Sequence, residues 1–246
     1  MGLMKIKQAV IYRLRDVKKS VISFYLIIFA SYILLSILTR IESVHVTQMS
    51  SLEMATMIFL LCIGLNSFKP IFYLLVQNGV SRKTMFYSFM ISMLVSSAVM
   101  AFIDSVIYSL VETSLGISSL FEQLYVGLYE EQLVVRIFVT FVWALCAYFA
   151  FGVIGYFISI LYYRMNKSLK LIVSISVPCL LFIGLPIIDT YFNGKVTLMI
   201  RKTFDFFFGT GAKPNPFISA ISCCCLSIIF LALSFGLSKK AVIKRS

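Results

Sequence analysis

The residues able to do chemistry in this chain are few and scattered. His45 is the only histidine, and a lone imidazole between apolar runs is a loop residue far more often than a base or a ligand. Cys62, Cys146, Cys179, Cys223, Cys224 and Cys225 all fall within apolar runs, and three consecutive cysteines point around a helix rather than converging. They read as small buried hydrophobic groups, with no structural disulfide expected. No HExxH or paired-cysteine spacing offers a metal site. No GxxxxGK[ST] segment forms a phosphate loop, so any ATP that drives this protein must be bound by another polypeptide. The expectation is a chain that is no enzyme and binds no cofactor itself.

Two features stand out against that background. Asp104 is an acid inside the apolar run Met85–Val111, and an ionisable group at membrane depth is a functional-site candidate by default. It is a candidate for the translocation path, where it could line an aqueous cleft, pair with a basic group or carry a proton. An equal reading is that it reaches a polar outer interface and serves packing, since no Arg or Lys is evident at its depth. The second feature is Gln77–Phe86, QNGVSRKTMF, a tight basic interruption between two apolar runs. Gly79 permits a left-handed backbone after Asn78, and Ser81 can cap the following helix through its free N–H groups. Arg82 and Lys83 hold that helix start in water or against a partner. An ordinary loop would carry the same residues.

The elements that must position these residues are set by composition. The chain has 246 residues, 60% of them hydrophobic and 13% charged, with a mean hydropathy of +0.97. So few charges cannot clothe a soluble globule, and lipid must be part of the solvent. Six runs approach the length of about 20 residues that crosses a hydrocarbon core: Val21–Leu38, Leu52–Val76, Met85–Val111, Leu133–Tyr156, Leu171–Ile188 and Phe217–Leu237. The predicted fold is all-α, one polytopic transmembrane domain over residues 1–246 with six transmembrane helices. The first run lacks the small-residue cleavage site of a signal peptide and reads as a retained span.

Charge sets the orientation. Lys5, Lys7, Arg13, Arg15, Lys18 and Lys19 precede the first span; Lys69, Arg82 and Lys83 lie around the second connection; Arg164, Lys167 and Lys170 lie between spans 4 and 5; Lys239, Lys240, Lys244 and Arg245 end the chain. Asp16 is the one acid among them, whereas the alternate segments hold Glu42, Glu53, Glu112, Glu122, Glu130, Glu131, Asp189 and Asp205. The positive-inside rule then places both termini in the cytoplasm, in a multi-pass protein of the cytoplasmic membrane. The net charge of +12 is split among four membrane edges, which favours anionic lipid headgroups and a protein partner over nucleic acid.

Finer pattern adds local expectations. Leu3, Ile6, Val10, Leu14 and Val17 recur at helical spacing, so residues 3–19 read as an amphipathic helix lying in the interface before the chain turns to cross. Pro70 is placed to kink or restart span 2, and Pro178 and Pro186 to bend span 5. Residues 112–132 and 189–216 read as extracellular segments. The first repeats Leu120, Leu124 and Leu128 and predicts a short surface helix; the second carries the aromatic stretch Phe204–Gly209 and predicts a half-buried hairpin. Gly152 and Gly155 offer a close-packing seam. No internal repeat is visible, which weakens a secondary transporter built from inverted halves.

The basic segment before span 1, the kinked second span leading into NGVSRKTMF, the six spans with both ends inside and the aromatic segment before span 6 together resemble the permease subunit of an ABC-2-type transporter. The resemblance covers nearly the whole chain as topology and Gln77–Phe86 as a local motif. It implies pairing with an ABC ATPase subunit, which would hold the ATP and Mg, and with a second permease subunit, identical or paralogous, within membrane lipids. It places Val80, Ser81, Arg82, Lys83 and Thr84 in the element that couples to the ATPase, and Lys5, Arg13, Arg15 and Lys18 on an interface helix. Small members of the family export antimicrobial or amphipathic peptides, or confer resistance to them. A non-transporting immunity or sensory subunit is the alternative from another class.

Overall fold

The computed structural model describes residues 2–42, 52–115, 119–126, 128, 133–211 and 213–239. The side chain of Lys5 lies outside the described residues, as do His45, Glu130, Glu131, Lys240, Lys244 and Arg245. Every regular element described is helical, and five helices are long and apolar enough to cross a membrane, or six when one bent pair counts as a single span. The chain is thus a polytopic helical membrane protein.

Helix α1 runs from Gly2 to Glu42. Here the structure differs from the expectation of an interface helix turned away from the first span: residues 3–19 continue into it without a break. The physical reason is plain in the sequence, since no Gly or Pro stands between Leu3 and Leu38 to end the hydrogen-bonded ladder. At 1.5 Å per residue a helix of 41 residues is about twice as long as a hydrocarbon core is thick. The basic segment through Lys19 therefore extends past the apolar run that starts at Val21, into the headgroups or the water beyond them.

The second span is broken as Pro70 predicts. Helix α2, Leu52–Asn66, and helix α3, Lys69–Gln77, meet at a 40° bend. Pro70 sits in the first turn of α3, where a missing N–H costs no helical bond. Helix α4, Arg82–Leu115, follows the turn, and the short α5, Leu120–Leu124, follows α4. A short helix does form in this segment, opened by a reciprocal capping box between Ser119 and Glu122, but it covers only Leu120 and Leu124 of the leucine repeat and buries Phe121.

Helix α6, Leu133–Arg164, is the centre of the bundle, packed by α2, α4 and α10, with α10 spanning Pro216–Lys239. The glycine seam lies between α6 and α2 of the same chain. A Cβ on Gly64 would stand 2.2 Å from the carbonyl oxygen of Gly152, and one on Gly155 would stand 2.2 Å from that of Leu61. Only hydrogen fits there, so the two backbones touch. Below the seam Phe89 of α4 stacks on Tyr156 of α6 with ring centroids 3.7 Å apart, and Trp143 and Tyr148 are buried on the same helix.

Span 5 is assembled from helix α7, Lys167–Cys179, a wide π-helical turn, Leu180–Gly184, and helix α8, Leu185–Tyr191. The widened turn falls between Pro178 and Pro186, whose rings displace the carbonyls of the preceding turns. No residue of these three elements is buried, so this span presents its apolar side chains to lipid or another chain. Helix α9, Lys195–Phe208, follows Asn193 and Gly194, both with positive φ. The aromatic segment is therefore helical, and it makes a helix-turn-helix with α8 in which Asp189 accepts from the Thr197 N–H at 2.9 Å.

The cysteines depart from the sequence reading in one respect. All six are free, as expected, but Cys62, Cys179, Cys224 and Cys225 face outward and only Cys146 and Cys223 are half-buried. In a membrane protein an apolar run has a lipid face as well as a core face, so hydrophobicity alone does not place a side chain inside.

Candidate functional site

The turn between α3 and α4 is built by consecutive caps. Val80 N–H reaches the Leu75 carbonyl at 2.9 Å and Gly79 N–H the Val76 carbonyl at 3.0 Å, the pairing of a helix end closed by a left-handed residue. That residue is Gly79, at φ 64°. Asn78 Nδ2 donates to the Leu74 carbonyl at 2.8 Å. On the far side Ser81 Oγ accepts from the Thr84 N–H at 3.2 Å and lies 2.9 Å from Thr84 Oγ1, the cap expected of Ser81. Arg82 Nη1 donates to the carbonyl of Lys239 at the end of α10. Val80 and Thr84 are half-buried, while Ser81, Arg82 and Lys83 are exposed. The five residues thus form a closed turn that presents two cations and is fastened to the last helix.

Arg15 and Lys18 are exposed on α1, but Arg13 is turned inward and is 3% exposed. Its Nε donates to Ser88 Oγ at 3.2 Å, and its Nη1 donates to the Ser67 carbonyl at 3.1 Å. The guanidinium lies 5.8 Å from the centroid of the Phe89 ring. Arg13 therefore joins α1, the break in span 2 and α4, and the carbonyl it takes is one that the break frees from the helical ladder. It also lines a cavity of about 220 Å³ with Asp16, Ser20, Asn66, Ser92 and Ser96. Of the cations grouped on the expected interface helix, this one serves the interior of the bundle. Ala9, one turn earlier and 4% exposed, is the sequence signal for it, a small residue that lets α1 approach.

Asp104 is 1% exposed. Its Oδ1 accepts from Tyr25 OH at 2.7 Å and its Oδ2 from Tyr148 OH at 2.5 Å. Tyr25 OH also stands 3.3 Å from the Met100 carbonyl. The partners of this acid are thus tyrosines rather than a basic group, and the carboxyl clamps α1, α4 and α6 together. Sequence reasoning missed Glu53, which it counted with the external acids. Glu53 is 1% exposed, and its Oε2 accepts the Leu120 N–H of α5 at 2.8 Å. Its Oε1, Thr56 Oγ1 and Tyr108 OH are buried in the same polar cluster, with the Tyr108 hydroxyl placed toward Glu53 and the Thr56 hydroxyl toward Asp104. Nothing in the local pattern around Glu53 separates it from a loop acid, because the partner that buries it is 67 residues away.

Comparison with family models, with curated proteins and with solved structures finds no match to this chain. Function must therefore be argued from the geometry. Among the described residues no group of three or more His, Cys, Asp or Glu side chains gathers to hold a metal ion. The arrangement offers instead two mechanical features: an exposed basic turn fixed to the ends of α3, α4 and α10, and a buried polar clamp through which three spans share one carboxyl.

Proposed function

We propose that this chain is the membrane-spanning subunit of an ATP-driven ABC exporter that moves amphipathic peptides or lipid-like molecules with a separate ATPase subunit. The observation that carries the reading is the closed turn Asn78–Thr84. Its backbone is capped on both sides, its two cations are exposed, and it continues directly into a broken span on one side and α4 on the other. A rigid charged protrusion of this kind can take up the motion of a docked ATPase and pass it into the bundle. Through Arg13 the same motion reaches α1, because its two hydrogen bonds cross to the break at Ser67 and to Ser88 of α4.

Transport needs at least two arrangements of the spans, with ATP and cargo favouring different ones. Asp104 is suited to mark that change, since separating α1 from α4 or α6 must break one of its tyrosine bonds. The test is purification of the tagged chain from its native membrane in mild detergent, with mass spectrometry and an ATPase assay. A stoichiometric ATPase is expected, and Arg82→Glu with Lys83→Glu should release it or abolish the cargo-stimulated rate. Undiminished ATPase binding and stimulation in that double variant would remove the turn from the mechanism.

A further inference from the structure

At the end of the bundle that carries the turn, a cavity of about 770 Å³ opens between the α2–α3 break and the junction of α6 with α7. Lys69, Lys167 and Lys170 line it together with Tyr73, Tyr162 and Asn166, and among the described residues no Asp or Glu does. Tyr162 OH lies 3.1 Å from Ser174 Oγ, which closes the side of the cavity between α6 and α7.

These lysines gather at two helix starts, with Lys69 and Lys167 exposed and Lys170 half-buried. Lys69 is the first residue of α3, and Lys167 and Lys170 fall in the first turn of α7. A helix N-terminus already carries about half a positive charge, so cations there are opposed by the helix itself. Neither N-cap residue, Phe68 or Asn166, closes its helix with a side-chain hydrogen bond. The opening N–H groups of α7, and those of Lys69 and Ile71 on either side of Pro70 in α3, are therefore left to solvent or to an anion. Three ammonium groups and two helix starts, with no acid among the described lining residues, make one positive field. Tyrosines and the apolar Leu65 and Met165 surround it, the mixture found at headgroup depth in a bilayer.

We propose that this pocket binds a phosphoester anion, presented by the headgroup of an acidic phospholipid whose acyl chains lie along the exposed face of α7. An ester phosphate matches point-charge donors such as lysine, and basic pockets between spans at the inner surface are where such headgroups are held. The proposal rests on the chain being a membrane protein and stands whether or not the exporter reading does. It also gives the otherwise unpacked span 5 a fixed neighbour at one end.

The purified full chain in mild detergent is mixed with equal amounts of phosphatidylglycerol and phosphatidylcholine of the same acyl composition, and retained lipid is read by native mass spectrometry. The wild type is expected to keep phosphatidylglycerol in preference, and each of Lys69→Gln, Lys167→Gln and Lys170→Gln to weaken that preference about fivefold. Lys195→Gln with Lys202→Gln, on the exposed surface of α9, should leave it unchanged. A parallel titration with glycerol 3-phosphate separates the sources. Lysine-dependent binding of the soluble ester without lipid retention assigns the phosphate site to a free ligand, and lipid retention assigns it to the membrane. If neither ligand distinguishes the wild type from the three single variants, or if the α9 variant loses as much as they do, the pocket is not a phosphate site.

Discussion

The behaviour of Asp104 turns on how its two oxygens are used. Both accept tyrosine hydroxyls, so the residue can be isolated by shape and by charge separately. Asp104→Leu leaves the buried Tyr148 hydroxyl without its acceptor, a loss of about 1–3 kcal/mol, while Tyr25 keeps the longer bond to the Met100 carbonyl. Asp104→Asn keeps one acceptor and a similar volume, and its loss should be smaller. Thermal unfolding in detergent is expected to rank wild type above Asn and Asn above Leu. In the proposed complex with an ATPase subunit, cargo-stimulated ATP hydrolysis would then separate the roles. Stimulation retained in Asp104→Asn makes the residue a clamp, and stimulation lost at near-normal stability makes its charge part of transport. Arg13 is the complementary case. Arg13→Ala removes two charge-assisted hydrogen bonds and should cost about 2–3 kcal/mol, whereas Arg13→Lys keeps the charge but not the fork that reaches Ser67 and Ser88 together and should fall between. Gly79 is subtler, since a Cβ there meets nothing within 4 Å. Its replacement by Ala should cost only the left-handed backbone strain, about 1 kcal/mol, and an equal unfolding midpoint would show that the turn relaxes.

At the scale of elements, the pair α2 and α6 tests whether the bundle is held by close backbone contact. Gly155→Val puts methyl groups where the Leu61 carbonyl already stands 2.2 Å from a Cβ position, and overpacking of this kind costs about 1–3 kcal/mol or more. The expected result is a lower unfolding midpoint and poorer monodispersity on size exclusion. Gly236→Val on α10 meets nothing within 4 Å and serves as the matched control. Equal behaviour of the two would mean that α2 and α6 are free to separate. The glycine seam, the Pro70 break and the α5 helix were all legible in the sequence, because each follows from residues within one or two turns. The continuity of α1 was legible too, in the absence of any Gly or Pro between Leu3 and Leu38, although the basic, amphipathic character of residues 3–19 equally suits a separate interface helix.

For the whole molecule, the charge pattern makes a prediction that the bundle alone does not decide, namely which face is inside. In a variant stripped of its cysteines, Asn78→Cys and Asn193→Cys place single thiols at exposed positions of two turns. A membrane-impermeant maleimide applied to intact cells should label the second and spare the first, and inverted vesicles should reverse the result. Labelling of both from one side would overturn the count of spans. The exposed apolar surface of α7 and α8 belongs to the same scale: Leu171, Ile175, Phe182 and Ile187 are each more than half exposed, which lipid or a second subunit must cover.

Composition, hydrophobic run length and the placement of proline determined that this is a helical membrane protein, roughly where its spans fall and where they bend. They could do so because insertion into lipid is a local transaction between each segment and the bilayer. The residues that work together were decided only by tertiary structure. Asp104 finds Tyr25 and Tyr148, Arg13 finds Ser67 and Ser88, Glu53 finds Leu120, and Lys69 comes beside Lys167 and Lys170. Each of these meetings joins residues dozens of positions apart; the buried serines Ser88, Ser92 and Ser96 on α4 and Ser219, Ser227, Ser234 and Ser238 on α10 mark which face of each helix turns inward but do not name the partner. Their partners are chosen by shape, by where glycine lets two backbones touch and where a broken helix leaves a carbonyl to be taken.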